Sequence, residues 1–200
     1  MIFPLLVVAT AASLLSSCAT VDQKIVLAYS PVERPFSRQS GEIAVSRVEP
    51  RTSLKNSKGE WIVGSINDAN GAHKADILSD RSLEEWITDA LLLELKRVGY
   101  NVSYNSSLPQ GVAKGIVISD INAFLNIAKE TVSDVIKHEF HFNMDVFLNG
   151  AKTKTFSVAT PGTKTLLSAS KEELEKIMLQ SLQGAILQIL PEIITLTPPK

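Results

Sequence analysis

The chain has 200 residues, 44% of them hydrophobic, with 20 Lys+Arg against 21 Asp+Glu and a formal charge of −1. This composition suits one folded domain and excludes a disordered chain; without a basic surplus, no nucleic-acid partner is expected. A single cysteine excludes a disulfide framework and a Cys-rich metal site, and 10 glycines with 9 prolines exclude collagen-like architecture. Residues 1–17 (MIFPLLVVATAASLLSS) carry no charged side chain, and Cys18 follows directly. The apolar or small run over 5–15 has the length of a signal-peptide core and is short for a bilayer span.

Leu15-Ser16-Ser17-Cys18 resembles the lipobox of bacterial lipoproteins, in which Leu and small residues precede an obligatory cysteine. The resemblance implies cleavage between Ser17 and Cys18, a diacylglyceryl group on the Cys18 thiol, and acylation of the new amine by a chain such as palmitate. Lipidation also removes a lone thiol from an oxidising compartment. Each buried methylene contributes about 0.8 kcal/mol, and two chains give stable anchoring. One departure from the pattern is that residues 1–4 offer no Lys or Arg, only the α-amine. Ala19 stands where inner-membrane lipoproteins of enterobacteria carry Asp. By resemblance this implies delivery to the inner leaflet of the outer membrane, facing the periplasm. The expected organisation is a signal peptide over 1–17, a lipidated Cys18 with a short spacer to 23, one domain over 24–194, and a tail over 195–200.

In chain order, 24–29 (KIVLAY) reads as a short β-type run, and 30–38, with Pro31 and Pro35, as an extended connection. Residues 42–48 (EIAVSRV) and 60–66 (EWIVGSI) are strand candidates separated by a polar loop, and 67–74 (NDANGAHK) has turn chemistry. Ser82 and Glu85 form a capping box before a helix whose apolar face runs Leu83, Trp86, Ile87, Ala90, Leu91, Leu95, Val98, with Gly99 as its stop. Glu94 falls inside that face and needs a partner; Arg97, three residues on, is the local candidate. Residues 100–104 predict a short strand. Residues 114–128 are apolar on both faces, which predicts a strand buried on both sides with a bulge near Asp120-Ile121-Asn122.

Residues 135–148 alternate without a slip. Ile136, His138, Phe140, Phe142, Met144, Val146 and Leu148 belong on the core face, and Lys137, Glu139, His141, Asn143, Asp145, Phe147 and Asn149 on the other. Asn149-Gly150 signals a hairpin, 152–159 is the returning edge strand, and Pro161-Gly162 breaks the chain. Ser170 and Glu173 open a second amphipathic helix that Pro191 should end. The order predicts an α+β fold: a mostly antiparallel sheet of about five to six strands, with two amphipathic helices on one face.

IVLAYSP, GEIAVSRVEPRT, WIVGSI, a helix closing in LLLELKRVGYNV, the long alternating strand and a C-terminal helix, all behind a lipobox, resemble the YajG-like bacterial lipoproteins. More distantly they resemble the auxiliary lipoproteins of ABC-type lipid transporters. The resemblance spans most of residues 24–190 and implies an envelope lipoprotein with no catalytic signature. The residues themselves agree. No G-x-S-x-G is present, and His138 and His141, three apart on a strand, point to opposite faces and cannot share a metal. Asp68-Ala69-Asn70-Gly71 lacks the further ligands of a calcium loop, and the pairs Glu84-Glu85 and Glu172-Glu173 sit in first helical turns, where the macrodipole accounts for them. Lys152, Lys154 and Lys164 read as a solvated edge, with contact to anionic lipid as the lesser alternative. No catalytic, metal or cofactor-binding residue is expected, and no cofactor; the expected partners are a membrane through the anchor and an envelope protein. The expected role is non-catalytic binding or accessory work, or alternatively a lipid- or peptidoglycan-binding module, including an auxiliary subunit of an ABC-type lipid transporter.

Overall fold

A computed structural model describes residues 21–47 and 55–196; Ser17 and Cys18 lie outside them. Nine strands and two helices follow in the order β1 (Gln23–Ile25), β2 (Glu42–Arg47), β3 (Trp61–Asp68), β4 (His73–Ser79), α1 (Leu83–Val98), β5 (Asn101–Tyr104), β6 (Lys114–Lys129), β7 (Asp134–Leu148), β8 (Ala151–Ala159), β9 (Gly162–Leu166) and α2 (Lys171–Leu196). The class is α+β as expected, but among the described residues the sheet is mixed and has nine strands, rather than being mostly antiparallel with five to six. Parallel pairing joins β1 to β4, β2 to β5, and β6 to both β2 and β3.

The long β6–β7 pair is the spine. The first half of β6 pairs with β2 and its second half with β3, along the same edge. On the far side, the second half of β7 pairs with β8 and its first half with β9. The sheet therefore forks on the β6 side of the spine, where β2 and β3 share one edge. At the fork in β6 a bulge lies between Ser119 and Asn122, and Asp120 takes φ +50°. The bulge shifts the inward phase from Ile116 and Ile118 to Ala123, Leu125 and Ile127. This corrects the reading of a strand buried on both sides: one slipped phase places apolar residues at both parities.

β8 and β9 are one edge strand, interrupted. Both keep the same register against β7, and between them the Thr160 N–H donates to the Phe140 carbonyl. Pro161 then falls at the next position, opposite Glu139, where an antiparallel strand turns its N–H away from its partner, so the missing donor costs no ladder bond. Asn149 and Gly150, at φ +52° and +78°, form the hairpin turn that the Asn-Gly pair signals. β4 and β9 were not predicted. β4 starts inside the stretch read as a turn, and β9 alternates Thr and Lys with little apolar signal.

Both helices carry the predicted N-terminal caps. Ser82 Oγ accepts from the Glu85 N–H at 3.1 Å, and Ser170 Oγ from the Glu173 N–H at 3.3 Å. At the end of α1, Gly99 (φ +115°) and Tyr100 donate back to the Lys96 and Leu95 carbonyls, a Schellman closure that a left-handed residue makes possible. Pro191 does not end α2, which continues to Leu196. The last turn is held because Ile193 is fully buried, and Thr195 Oγ1 donates to the Pro191 carbonyl at 2.9 Å. Core burial thus outweighs the one backbone bond that proline removes. α2 is long and apolar enough to cross a membrane by composition alone, but Leu174, Ile177, Leu182, Ile186, Ile189 and Leu190 are buried in the core. Trp86 on α1 meets Phe140 edge-to-face at 6.3 Å, and Phe140 meets Phe142 in the same way at 5.8 Å. The predicted register of β7 is therefore the observed one.

Candidate functional site

Residues 26–41 lie as a strap along α1. Trp86 Nε1 donates to the Ala28 carbonyl at 3.1 Å, and the Gln39 N–H donates to the Val98 carbonyl at 2.8 Å. Between these points Glu94, fully buried, accepts from the Tyr29 hydroxyl (2.7 Å), the Val32 N–H (2.8 Å) and Arg97 Nη1 (2.8 Å). Arg97 also donates to the Val32 carbonyl at 3.0 Å. The charged residue on the apolar face of α1 is thus the fastening for the strap, and Arg97 is its partner as predicted. Burial, then the hydrogen bond to Glu94, pushes the Tyr29 hydroxyl far above its ordinary pKa, so it stays a donor.

Two clefts of about 480 and 380 Å3 adjoin the interruption at Pro161 and Gly162. The larger is lined by Phe124, Asn126, Lys137 and Glu139 from the side of the sheet turned away from the helices. The other is lined by Thr160, Lys164, Ile177, Gln180 and Ser181, beside α2. His138 borders both. Its ring lies against Gly162, where a Cβ would come within 2.2 Å of it, so only glycine leaves the ring room. Burial pushes the His138 pKa down, which favours the neutral ring. A third groove, of about 430 Å3, runs between the strap at residues 30–34 and Gln183 and Leu187 of α2. Sequence reading did not find these clefts; the available signal was Pro161-Gly162 directly after an edge strand.

The other histidines stand apart. His73 Nε2 lies 2.9 Å from Asp76 Oδ1 at the surface, and His141 Nε2 lies 3.0 Å from Ser157 Oγ on the outer face. His138 and His141 occupy opposite faces of β7, as their spacing requires. Among the described residues no three His, Cys, Asp or Glu side chains gather where they could hold a metal. Asp68 caps its own turn by accepting from the Asn70 and Ala72 N–H groups, and its bond to Lys74 holds its carboxyl below the ordinary range. The three lysines read as a solvated edge are individually paired: Lys152 with Asp145 (2.8 Å), Lys154 with Glu192 (2.9 Å) and Lys164 with Glu173 (2.6 Å). They form no open basic patch. Chemically, the clefts offer mixed linings: Phe124, Pro161 and Ile177 are apolar, and amide, hydroxyl, imidazole, ammonium and carboxylate groups stand beside them.

No family model matches the chain, and no curated protein matches it. Solved structures similar to it include the following three. Protein XCC0632 from Xanthomonas campestris, described as DUF330, has 13% identity and a TM-score of 0.49, over 86% of this chain and 96% of that one. A neuraminyllactose-binding hemagglutinin homolog from Helicobacter pylori has 14% identity and a TM-score of 0.46, over 82% and 91%. A minor lipoprotein from Acinetobacter baumannii has 11% identity and a TM-score of 0.44, over 83% and 98%.

Proposed function

We propose that this chain is a cell-envelope lipoprotein, anchored through Cys18, whose domain has a non-catalytic binding or accessory role in an envelope complex. The observation that carries the reading is the lone cysteine placed directly after an uncharged 17-residue leader, behind Leu15-Ser16-Ser17. Outer-membrane delivery is part of the proposal and rests on Ala19 in place of Asp. Kinship with YajG-like lipoproteins rests on the order of elements behind the lipobox. A binding role is supported by a surface that offers clefts at a break in the sheet edge, while its histidines stand apart from one another and from any shared carboxylate set.

The alternative, a module that itself holds a lipid or peptidoglycan fragment, is favoured by the cleft beside α2, where Ile177 supplies an apolar wall and Gln180, Ser181 and His138 supply polar groups. The anchor is tested with labelled palmitate: Cys18→Ser should abolish its incorporation and leave an unprocessed precursor, and normal labelling of the variant would overturn the reading. The role is tested by complementation. An unanchored periplasmic version at native level should fail to restore a deletion phenotype, because attachment raises the local concentration of a membrane partner. Full restoration would instead indicate a diffusible enzyme or carrier.

A further inference from the structure

The ends of the strands place the start of the domain and its most exposed apolar side chains together. β6 ends at Lys129 and β7 begins at Asp134, so the turn over 130–133 marks one end of the sheet. Asp68 pairs with Lys129, which brings the β3–β4 turn to the same end. Leu166 pairs with Asp134, so β9 finishes there, and α2 starts there: the Ala169 N–H donates to Asp134 Oδ2 at 2.6 Å. β1 is parallel to β4 and so points its N-terminal side the same way; the Asp76 N–H donates to Asp22 Oδ1 at 2.9 Å. Val21 therefore leaves the domain at this end.

Among the described residues, the large apolar side chains most open to solvent are Leu167 (90%), Val132 (79%) and Val21 (74%). All three lie at this end, on three different connections: the entry to β1, the β6–β7 turn, and the link from β9 to α2. Side chains so exposed at connection tips pack against nothing in the domain, and gathered at one end they mark a contact surface. Two residues, Ala19 and Thr20, separate Cys18 from Val21, a reach of at most about 10 Å even when fully extended.

We propose that this end of the sheet rests on the lipid surface that carries the anchor, with Val132 and Leu167 entering the headgroup–acyl boundary beside the acylated Cys18. The inference rests on the lipoprotein reading above. The occupant is lipid rather than protein because the chain leaves Val21 for the acylated Cys18 at the same end of the sheet that carries Val132 and Leu167; β1 lies three strand spacings from β6, about 14 Å, so one flat surface at that end meets the anchor and these side chains together. The contact is apolar rather than electrostatic. Lys129 is paired with Asp134 at 2.7 Å and Lys74 with Asp68 at 3.0 Å, and Glu130 adds a negative charge to the β6–β7 turn. Neutral lipid is therefore sufficient. In this orientation the loop over 105–113 and the Asn149-Gly150 turn, at the opposite end, point away from the membrane.

The test uses the full-length acylated protein in phosphatidylcholine vesicles. Acylation occupies the one native thiol, so a cysteine introduced by Val132→Cys, Leu167→Cys or Gln110→Cys takes an environment-sensitive fluorophore alone. Gln110 is exposed at the opposite end and serves as the reference. The expected result is a blue shift and quenching by spin-labelled lipid at 132 and 167, and neither at 110. A protein that floats with the vesicles but shows no quenching at 132 and 167, or equal quenching at all three, overturns the orientation and leaves the anchor standing. A protein that carries no acyl group and does not float removes the anchor and this proposal together. Quenching only with anionic lipid overturns the apolar contact. A blue shift at 132 and 167 without vesicles, growing with protein concentration, assigns the surface to a second copy of the chain and also overturns it.

Discussion

Glu94→Ala should release the strap from α1, and its cost can be worked from the bonds it breaks. The carboxylate is fully buried and accepts from Tyr29, Val32 and Arg97. Alanine leaves the Val32 N–H without its acceptor in a buried setting, at about 1–3 kcal/mol. The Tyr29 hydroxyl is only half-buried and can turn towards water, which puts it at the low end of the same range. Arg97 is 42% exposed and keeps the Val32 carbonyl, so its charge stays solvated and adds little. The expected loss is about 2–4 kcal/mol. Glu94→Gln keeps one carbonyl oxygen for Val32 but turns an amide towards Arg97, and should cost about 1–2 kcal/mol. Tyr29→Phe leaves Glu94 held by two donors and should cost about 1 kcal/mol. Urea unfolding of residues 19–200 measures all three. In a Trp61→Phe background the Trp86 emission serves as a local probe, because its indole N–H is bonded to the strap at Ala28. If alanine and glutamine both fell within about 0.5 kcal/mol of the parent, the carboxylate would not be what holds the strap, and the argument fails.

Phe142→Ala should cost about 3–5 kcal/mol and His141→Ala no more than about 0.5 kcal/mol, since one ring is buried against Phe140 and the other meets only Ser157 at the surface; the reverse order in denaturant melts would shift the β7 register by one. Gly99→Ala should cost about 2–3 kcal/mol by the same assay, because φ is +115° and the new Cβ would sit 2.4 Å from the Gln39 carbonyl oxygen. The depressed pKa of His138 means that the unfolded chain binds its proton first as pH falls. Stability from this group is full above about pH 6.5 and declines as pH drops through the folded value. Glu60, Asp68, Glu172 and Glu173 are held below their ordinary values and stay ionised at pH 5, so His138→Gln should flatten the fall in Tm between pH 7 and pH 5; an unchanged slope would remove His138 as its cause.

Much of the architecture was legible from residue order alone, for reasons that are local. The capping boxes at Ser82 and Ser170 act within one helical turn, Asn149-Gly150 needs only its own dihedral angles, and the unbroken alternation over 135–148 places each β7 side chain without reference to any partner. The Glu94–Arg97 pair was visible because i and i+3 share a helix face. The anchor proposal draws on the same kind of local signal, since Leu15-Ser16-Ser17-Cys18 is contiguous.

What only the tertiary structure decided depends on which strands become neighbours. Parallel pairing of β6 with β2 and β3 joins residues far apart in sequence and leaves no local mark. β9 is a strand because it continues the β8 register along β7 past Pro161, not because its own residues favour it. Pro191 stays within α2 because Ile193 is buried beyond it. Glu94 gains its other two partners only when the strap folds back over α1. The placement of Val21, Val132 and Leu167 at one end of the sheet likewise follows from strand direction. Side-chain periodicity determines which face a residue takes, whereas strand order and direction determine what it meets.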